Sequence, residues 1–277
     1  MLKATLKAML KTTLKKWFVL LVTLLLAGTA SAQFDHTFAG WDTLVKKHVR
    51  WLPDNKQSRA DYPAFKADRA ELKKVLDAMS AVPKADFDAW SRDQQMAFLI
   101  NAYNAFTVEL ILTKWPDLKS IRDIGGVFSK PWSLEFFTLL GAKHHLDWIE
   151  HEQLRPKYND PRVHGAVNCA SIGCPALRTE AFVAGKLEAQ LEDGMQRFMA
   201  DRTRNRVRDG RVEVSKIFDW FEGDFKAGHK GFSKVEDVFA KYATQLSDKP
   251  EEQAQLRAKT LAVTHLDYDW SLNVVGR

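Results

Sequence analysis

From Met96 to Leu112 the chain is apolar on almost every side, and no other stretch constrains the fold as much. A helix that is apolar all round has to be wrapped by other elements. Ser91-Arg-Asp-Gln94 stands ahead of it as a capping box, in which the serine side chain and the glutamine side chain each satisfy one unpaired backbone N–H. The spacing therefore predicts a central buried helix from Ser91 to about Lys114. Asn101, Tyr103 and Asn104 fall inside it. Buried amides must find hydrogen-bond partners, so Asn101 and Asn104 are expected to bind the backbone of a neighbouring loop or groups of a binding site.

The flanking sequence supplies the wrapping. Phe34 to Trp51 has a helical stripe of Phe38, Trp41, Leu44, Val45 and Val49, broken by Pro53-Asp54, and Ala67 to Met79 repeats the pattern with Leu72, Val75, Leu76 and Met79. Glu135–Leu140 and Lys143–Leu146 flank Gly141-Ala142 as a short hairpin. Asp147-Trp-Ile-Glu150 reads as a second capping pattern opening a helix to about Lys157, and capping alone is enough to explain Glu150. Glu180 to Met199 is amphipathic. Asp209-Gly210 between Val207 and Val212 is a two-residue hairpin signal. Ile217 to Phe225 and Val235 to Tyr242 are short helices, and Leu261 to His265 a final strand. The expected fold is α+β: a helix-rich single domain with a small antiparallel sheet.

The first thirty-two residues read as a signal peptide. Lys3, Lys7, Lys11, Lys15 and Lys16 precede an apolar run from Trp17 to Ala27, and Ala30-Ser31-Ala32 fits a cleavage site before Gln33. The run is shorter than the roughly 20 residues that span a bilayer, so no stable membrane insertion is expected after cleavage. Residues 33–277 would then form one globular domain, exported to the periplasm or secreted. Removing five of the 41 basic residues leaves 36 against 35 acidic ones, a net charge of +1. The basic balance of the whole chain is thus no argument for nucleic acid as a partner. A small-molecule or peptide ligand is expected instead, with no cofactor, since neither a phosphate-binding glycine loop nor a dinucleotide fingerprint is present.

The reactive chemistry concentrates in Asp160-Pro-Arg-Val-His-Gly-Ala-Val-Asn-Cys-Ala-Ser-Ile-Gly-Cys-Pro175, which holds both cysteines of the chain, Cys169 and Cys174. This segment follows Asn101-Ala-Tyr-Asn-Ala105 and Ile149-Glu-His151 with Leu154-Arg155, and precedes Tyr268-Asp-Trp-Ser-Leu-Asn273. In that order the motifs resemble the family called domain of unknown function 547, with a core over about residues 90–245 plus the C-terminal motif. The resemblance implies no firm activity. Two positions depart from its pattern: Gly165 follows His164 where an aromatic is usual, and Ala176 follows Cys174-Pro175 where a second proline is common. Gly165 is expected to loosen the packing round the His164 ring.

Three readings of the cysteine segment stand side by side. In the first, Cys169 is the nucleophile of a hydrolase or acyl-transfer enzyme. His164 or His151 would serve as base and Asn168 as an oxyanion donor. In the second, the exported pair forms a disulfide in a non-catalytic binding or scaffold protein. The loop is so short that the bond would stabilise by only about 2 kcal/mol. In the third, Cys169, Cys174, His164 and one of His144, His145 or His151 ligate zinc. The spacing is wider than most zinc knuckles, and no metal site is assigned. Arg155 and Arg162 are candidates for ion pairs or for binding an anionic group. The tryptophans fall mostly on helical stripes or beside turns and are expected in the core, with Trp270 the exception among polar neighbours.

Overall fold

A computed structural model describes residues 33–126 and 130–276; the expected leader over 1–32 lies outside them. The central helix is Arg92–Leu112. Its capping box forms as expected, with the Gln94 N–H donating to Ser91 Oγ at 3.2 Å and the Ser91 N–H to Gln94 Oε1 at 2.9 Å. Every residue from Met96 to Leu112 is buried except Glu109, which pairs with Arg69.

In chain order, the helices before it are α1 (Ala39–His48), α2 (Tyr62–Ala67), α3 (Arg69–Ser80) and α4 (Lys84–Ala89), which makes the central helix α5. Helices α2 and α3 pack directly on α5, and α1 packs on α3. Helix α1 ends at His48 rather than Trp51. Val49 turns extended, and Val49–Trp51 pairs antiparallel with Ser58–Ala60 as strands β1 and β2. The hairpin after the central helix forms as β3 (Phe137–Leu139) and β4 (Ala142–His144), with Leu140 and Gly141 both at positive φ, as a two-residue turn requires.

Asp147 makes no capping bond. The chain from Trp148 to Leu154 winds as a π-helical turn running into α6 (Arg155–Tyr158). This corrects the capping reading of Glu150. The amphipathic helix α7 runs Leu187–Ala200 and starts later than the periodicity suggests. Ala181 to Val183 stays extended because side chains tie it there: Asn101 holds both the N–H and the C=O of Phe182, and Gln190 holds the Val183 N–H and the Ala181 carbonyl.

Strands β5 (Arg206–Arg208) and β6 (Arg211–Ser215) form the expected hairpin round Asp209-Gly210. Helices α8 (Ile217–Trp220), α9 (Glu222–Lys226), α10 (Val235–Lys241), α11 (Ala243–Leu246) and α12 (Pro250–Ala258) follow, and β7 (Ala262–Leu266) closes the order. The fold is helix-rich α+β. Among the described residues the strands are divided among three small sheets, and β7 joins β6 in parallel, a pairing that an all-antiparallel expectation misses. Met195, Phe198, Val214, Phe218, Phe225, Phe239 and Tyr242 form the apolar core beneath these last elements. The C-terminal segment then runs back across the molecule. Leu272 bridges Ser171 in the cysteine loop, and Val274 bridges Ala60 of β2.

Candidate functional site

Cys169 and Cys174 are bonded to each other, with sulfurs 2.02 Å apart. Neither is a free thiol in this structure, so the nucleophile reading of Cys169 and the zinc reading both lose their sulfur ligand here. The loop they close is held independently of the bond. The Ile172 N–H donates to the Ser271 carbonyl and the Gly173 N–H to the Asp269 carbonyl, each at 2.8 Å, and the Asn273 N–H donates to the Ala170 carbonyl at 3.0 Å. Buried Arg204 donates to the carbonyls of Ile172, Gly173 and Cys174.

Of the two readings of Asn101 and Asn104, bonds to a neighbouring loop are the ones that form, and Asn168 is held in the same way. Asn101 is taken up by Phe182, as above. Asn104 donates to the Ala166 carbonyl and accepts the Asn168 N–H. Asn168 donates to the Pro175 carbonyl and accepts from the Ala170 N–H and from Asn273. Each is buried with both ends of its amide bonded to protein groups, so Asn168 is held in place by the loop it braces. Arg162, almost fully buried, is forked between Asp160 and Glu188 and also reaches Glu192, so it has no charge left for an external anion.

His164 is the sequence candidate whose surroundings carry chemistry. It sits on the short 3-10 turn Pro161–Gly165, which Asp160 caps by accepting the Arg162 N–H. Its Nε2 lies 2.7 Å from Asp224 Oδ2, and its ring stacks on Phe221 with centroids 4.0 Å apart. An ionised carboxylate only accepts, so Nε2 carries the hydrogen and Nδ1 is left facing Glu150 Oε1 at 3.8 Å. Burial opposes ionisation of Asp224, but the hydrogen bonds and charges of His164 and Arg155 outweigh it and hold the carboxyl well below its usual range. Arg155 binds both oxygens of Asp224, at 2.6 and 3.0 Å, and lies over the Phe221 ring; its charge is satisfied there. His151, the competing base, is exposed. It accepts from Arg155 at Nδ1 and lies 3.5 Å from Asp147, whose hydrogen bond raises its pKa against the effect of burial.

Gly165 does the reverse of loosening this ring. A Cβ there would stand 2.9 Å from the Met195 sulfur, and one on Gly194 would stand 2.8 Å from the Gly165 carbonyl oxygen. The missing side chains let α7 press directly on the turn that carries His164.

The disulfide, His164 and His151 share one cavity of about 560 Å³. Glu150, only 7% exposed, lines it beside Asp147 and Tyr103. Burial, then the Glu150 carboxylate, pushes the Tyr103 hydroxyl well above its usual pKa. Trp132, Trp220, Tyr268 and Trp270 line it too, with Arg122 over the Trp270 ring. The Trp270 ring lies 4.5 Å from Tyr268 and 5.6 Å from both Trp132 and Trp220. Three tryptophans of this wall therefore do not serve the core, and Trp220 is 45% exposed. Tyr268, Trp270 and Glu150 lie in the motifs that carry the family resemblance; Trp270 stood out besides as the tryptophan among polar neighbours, and the local pattern at Glu150 pointed only to a cap. Asp224, Phe221 and Trp220 had none.

No curated protein and no solved structure matches the chain. Residues 87–199 match the family model described as "Protein of unknown function, DUF547", a span that ends short of the expected boundary near 245 and leaves the aromatic wall from Trp220 onward outside it. Over those residues the chain is similar to the domain of unknown function 547.

Proposed function

We infer that this is an exported binding protein whose cavity takes a neutral, ring-bearing polar ligand of the saccharide class. The observation that carries the reading is the joint lining of one cavity by an aromatic wall and a polar wall. A sugar ring presents C–H faces that stack on tryptophan, and hydroxyls that both donate and accept. Asp147 and Glu150 accept, while Arg122 and Lys130 donate, so the opposed charges favour a neutral polyol over a strong anion or cation. Export rests on the leader-like first thirty-two residues. No helix among the described residues is long and apolar enough to cross a membrane.

The test is intrinsic tryptophan fluorescence of the purified chain, titrated with a panel of neutral mono- and oligosaccharides. Saturable quenching is expected, weakened at least about tenfold in Trp270→Ala and Trp220→Ala by loss of stacking. A panel without effect, or quenching that survives both substitutions, overturns the reading.

One observation favours hydrolysis of the bound ligand as a second reading. His164 is oriented by Asp224 with its free Nδ1 turned toward Glu150, 3.8 Å away, which sets a base beside a carboxyl group that lines the cavity. In that case Glu150→Gln abolishes turnover of a chromogenic glycoside while the fluorescence titration is retained. Turnover that persists in Glu150→Gln removes this reading and leaves the binding one standing.

A further inference from the structure

The sulfurs of the cavity disulfide are in different surroundings. Cys174 is 5% exposed, whereas Cys169 is half-buried and faces the same cavity. Cys174 Sγ receives the Cys169 backbone N–H at 2.8 Å, the Tyr268 hydroxyl at 3.2 Å and the Ser171 hydroxyl at 3.5 Å. The two hydroxyls also reach Cys169 Sγ, at 3.2 and 3.0 Å, but the fixed N–H points only at Cys174. A disulfide sulfur has no hydrogen to give, so both hydroxyls are the donors. Burial pushes the Tyr268 pKa up, which keeps that hydroxyl protonated.

Tyr268 lies flat on the loop because Gly173 leaves room for its ring: a Cβ there would stand 2.8 Å from three ring carbons. The loop is pinned by the C-terminal segment and by Arg204 without help from the sulfurs. A bond that closes so short and so well-held a loop adds little as a staple. The hydroxyls reach both sulfurs, but the backbone N–H is fixed on the inner one alone, so the bond is arranged to break with charge on Cys174.

We propose that Cys169–Cys174 is a thiol–disulfide exchange site, opening toward thiols that enter the cavity, with Cys169 attacked and Cys174 leaving. The attacking species is the thiolate of a low-molecular-weight thiol or of a cysteine-bearing peptide. Its sulfur forms a bond to Cys169 Sγ as the Cys169–Cys174 bond breaks. The electron pair stays on Cys174, where the N–H and the two hydroxyls receive it. A second thiolate then attacks the external sulfur of the mixed disulfide. It releases an oxidised thiol dimer and leaves the protein as a dithiol after uptake of the two protons the thiols gave up. The protein gains two electrons and the thiols lose two. Run backwards, the same steps oxidise an incoming dithiol.

The choice of sulfur follows from the rule that exchange is faster at the accessible sulfur and with the better-stabilised leaving thiolate. This goes beyond ligand binding and does not depend on it, since it concerns the disulfide and its hydrogen-bond donors rather than stacking on the tryptophans of the wall.

The experiment uses the full folded chain in a buffer of reduced and oxidised glutathione without denaturant. Aliquots are quenched with acid, and adducts are mapped by mass spectrometry. Reduction of the native disulfide is expected, with the transient glutathione adduct on Cys169 in wild type and a stable one there in Cys174→Ser. Tyr268→Phe removes one donor from the leaving sulfur and is expected to slow reduction on the order of tenfold. Should Cys174→Ser fail to fold, the acid-quenched wild-type adduct reads the same point. Reduction that occurs only under denaturant overturns the proposal, as does an adduct found equally on both sulfurs or mainly on Cys174.

Discussion

Nε2 of His164 lies 2.7 Å from Oδ2 of Asp224, although sixty positions separate them in the chain. The contact joins the turn before the cysteine loop to α9, and Arg155 closes it by gripping the same carboxylate. Replacing Asp224 with Asn removes the charge that two cationic or polarised partners depend on. The expected loss is about 1.5–3 kcal/mol at neutral pH, the range for hydrogen bonds to a charged group. The folded carboxyl titrates below its unfolded value, so its stabilisation is fully present above about pH 4 and fades as pH falls through the folded value. Urea unfolding of wild type and Asp224→Asn should therefore differ most at neutral pH and converge as the pH is taken below about 4. A gap that stays constant with pH would mean that the ion pair is not its source.

Asn101→Ala tests the bracing role that replaced the binding one. The substitution strands both the N–H and the C=O of Phe182 inside the core. Leaving two buried groups unpaired costs on the order of 3 kcal/mol, which a shift in the urea midpoint will report. Ligand quenching of the tryptophans, measured below the unfolding transition, should be unchanged, since Asn101 does not line the cavity.

The Asn101 result bears on what the sequence could disclose. The apolar run from Met96 to Leu112 and the Ser91 capping box are local signals, and they marked the central helix to within two residues at its end. The partners of Asn101 and Asn104 were foreseen only as a class, because a buried amide announces its need but not which loop, decades of residues away, will meet it. The cavity was the least legible part. Glu150 carries the local pattern of a cap, and only the π-helical turn, dictated by packing on α5, turns it inward. Asp224, Trp220 and Phe221 reach the site because α8 and α9 fold over a core whose contacts are long-range. The parallel pairing of β6 with β7 escaped the reading for the same reason, since it joins segments across five helices, α8 to α12.

Gly173→Ala probes the wall of the cavity from behind. The added methyl would meet the Tyr268 ring face at 2.8 Å, and that ring cannot yield without disturbing Trp220 and Trp270, 4.9 and 4.5 Å away. Overpacking of this kind costs about 1–3 kcal/mol. The aromatic near-UV circular dichroism should change while the far-UV signal holds, because the wall moves and the helices do not. An unaltered near-UV spectrum would show that Tyr268 is not seated on Gly173 in solution.

Arg162 offers a test of a buried charge cluster through a double substitution. Its guanidinium holds Asp160, whose side chain is 8% exposed, and also Glu188 and Glu192 at the surface of α7. Arg162→Met removes the cation and leaves the Asp160 carboxylate buried with Lys230 3.5 Å away as its remaining cation. Loss of one member of such a pair typically costs about 3–5 kcal/mol, mainly because the other charge is left uncompensated. Asp160→Asn keeps the side-chain oxygen that caps the 161–165 turn while removing the charge. The double variant Arg162→Met/Asp160→Asn should therefore be more stable than Arg162→Met alone, with a coupling of about 1–3 kcal/mol in a double-mutant cycle read from urea unfolding. Strictly additive single effects would show that the buried carboxylate is not what Arg162 neutralises, and that the helix α7 carboxylates alone account for its retention in the interior.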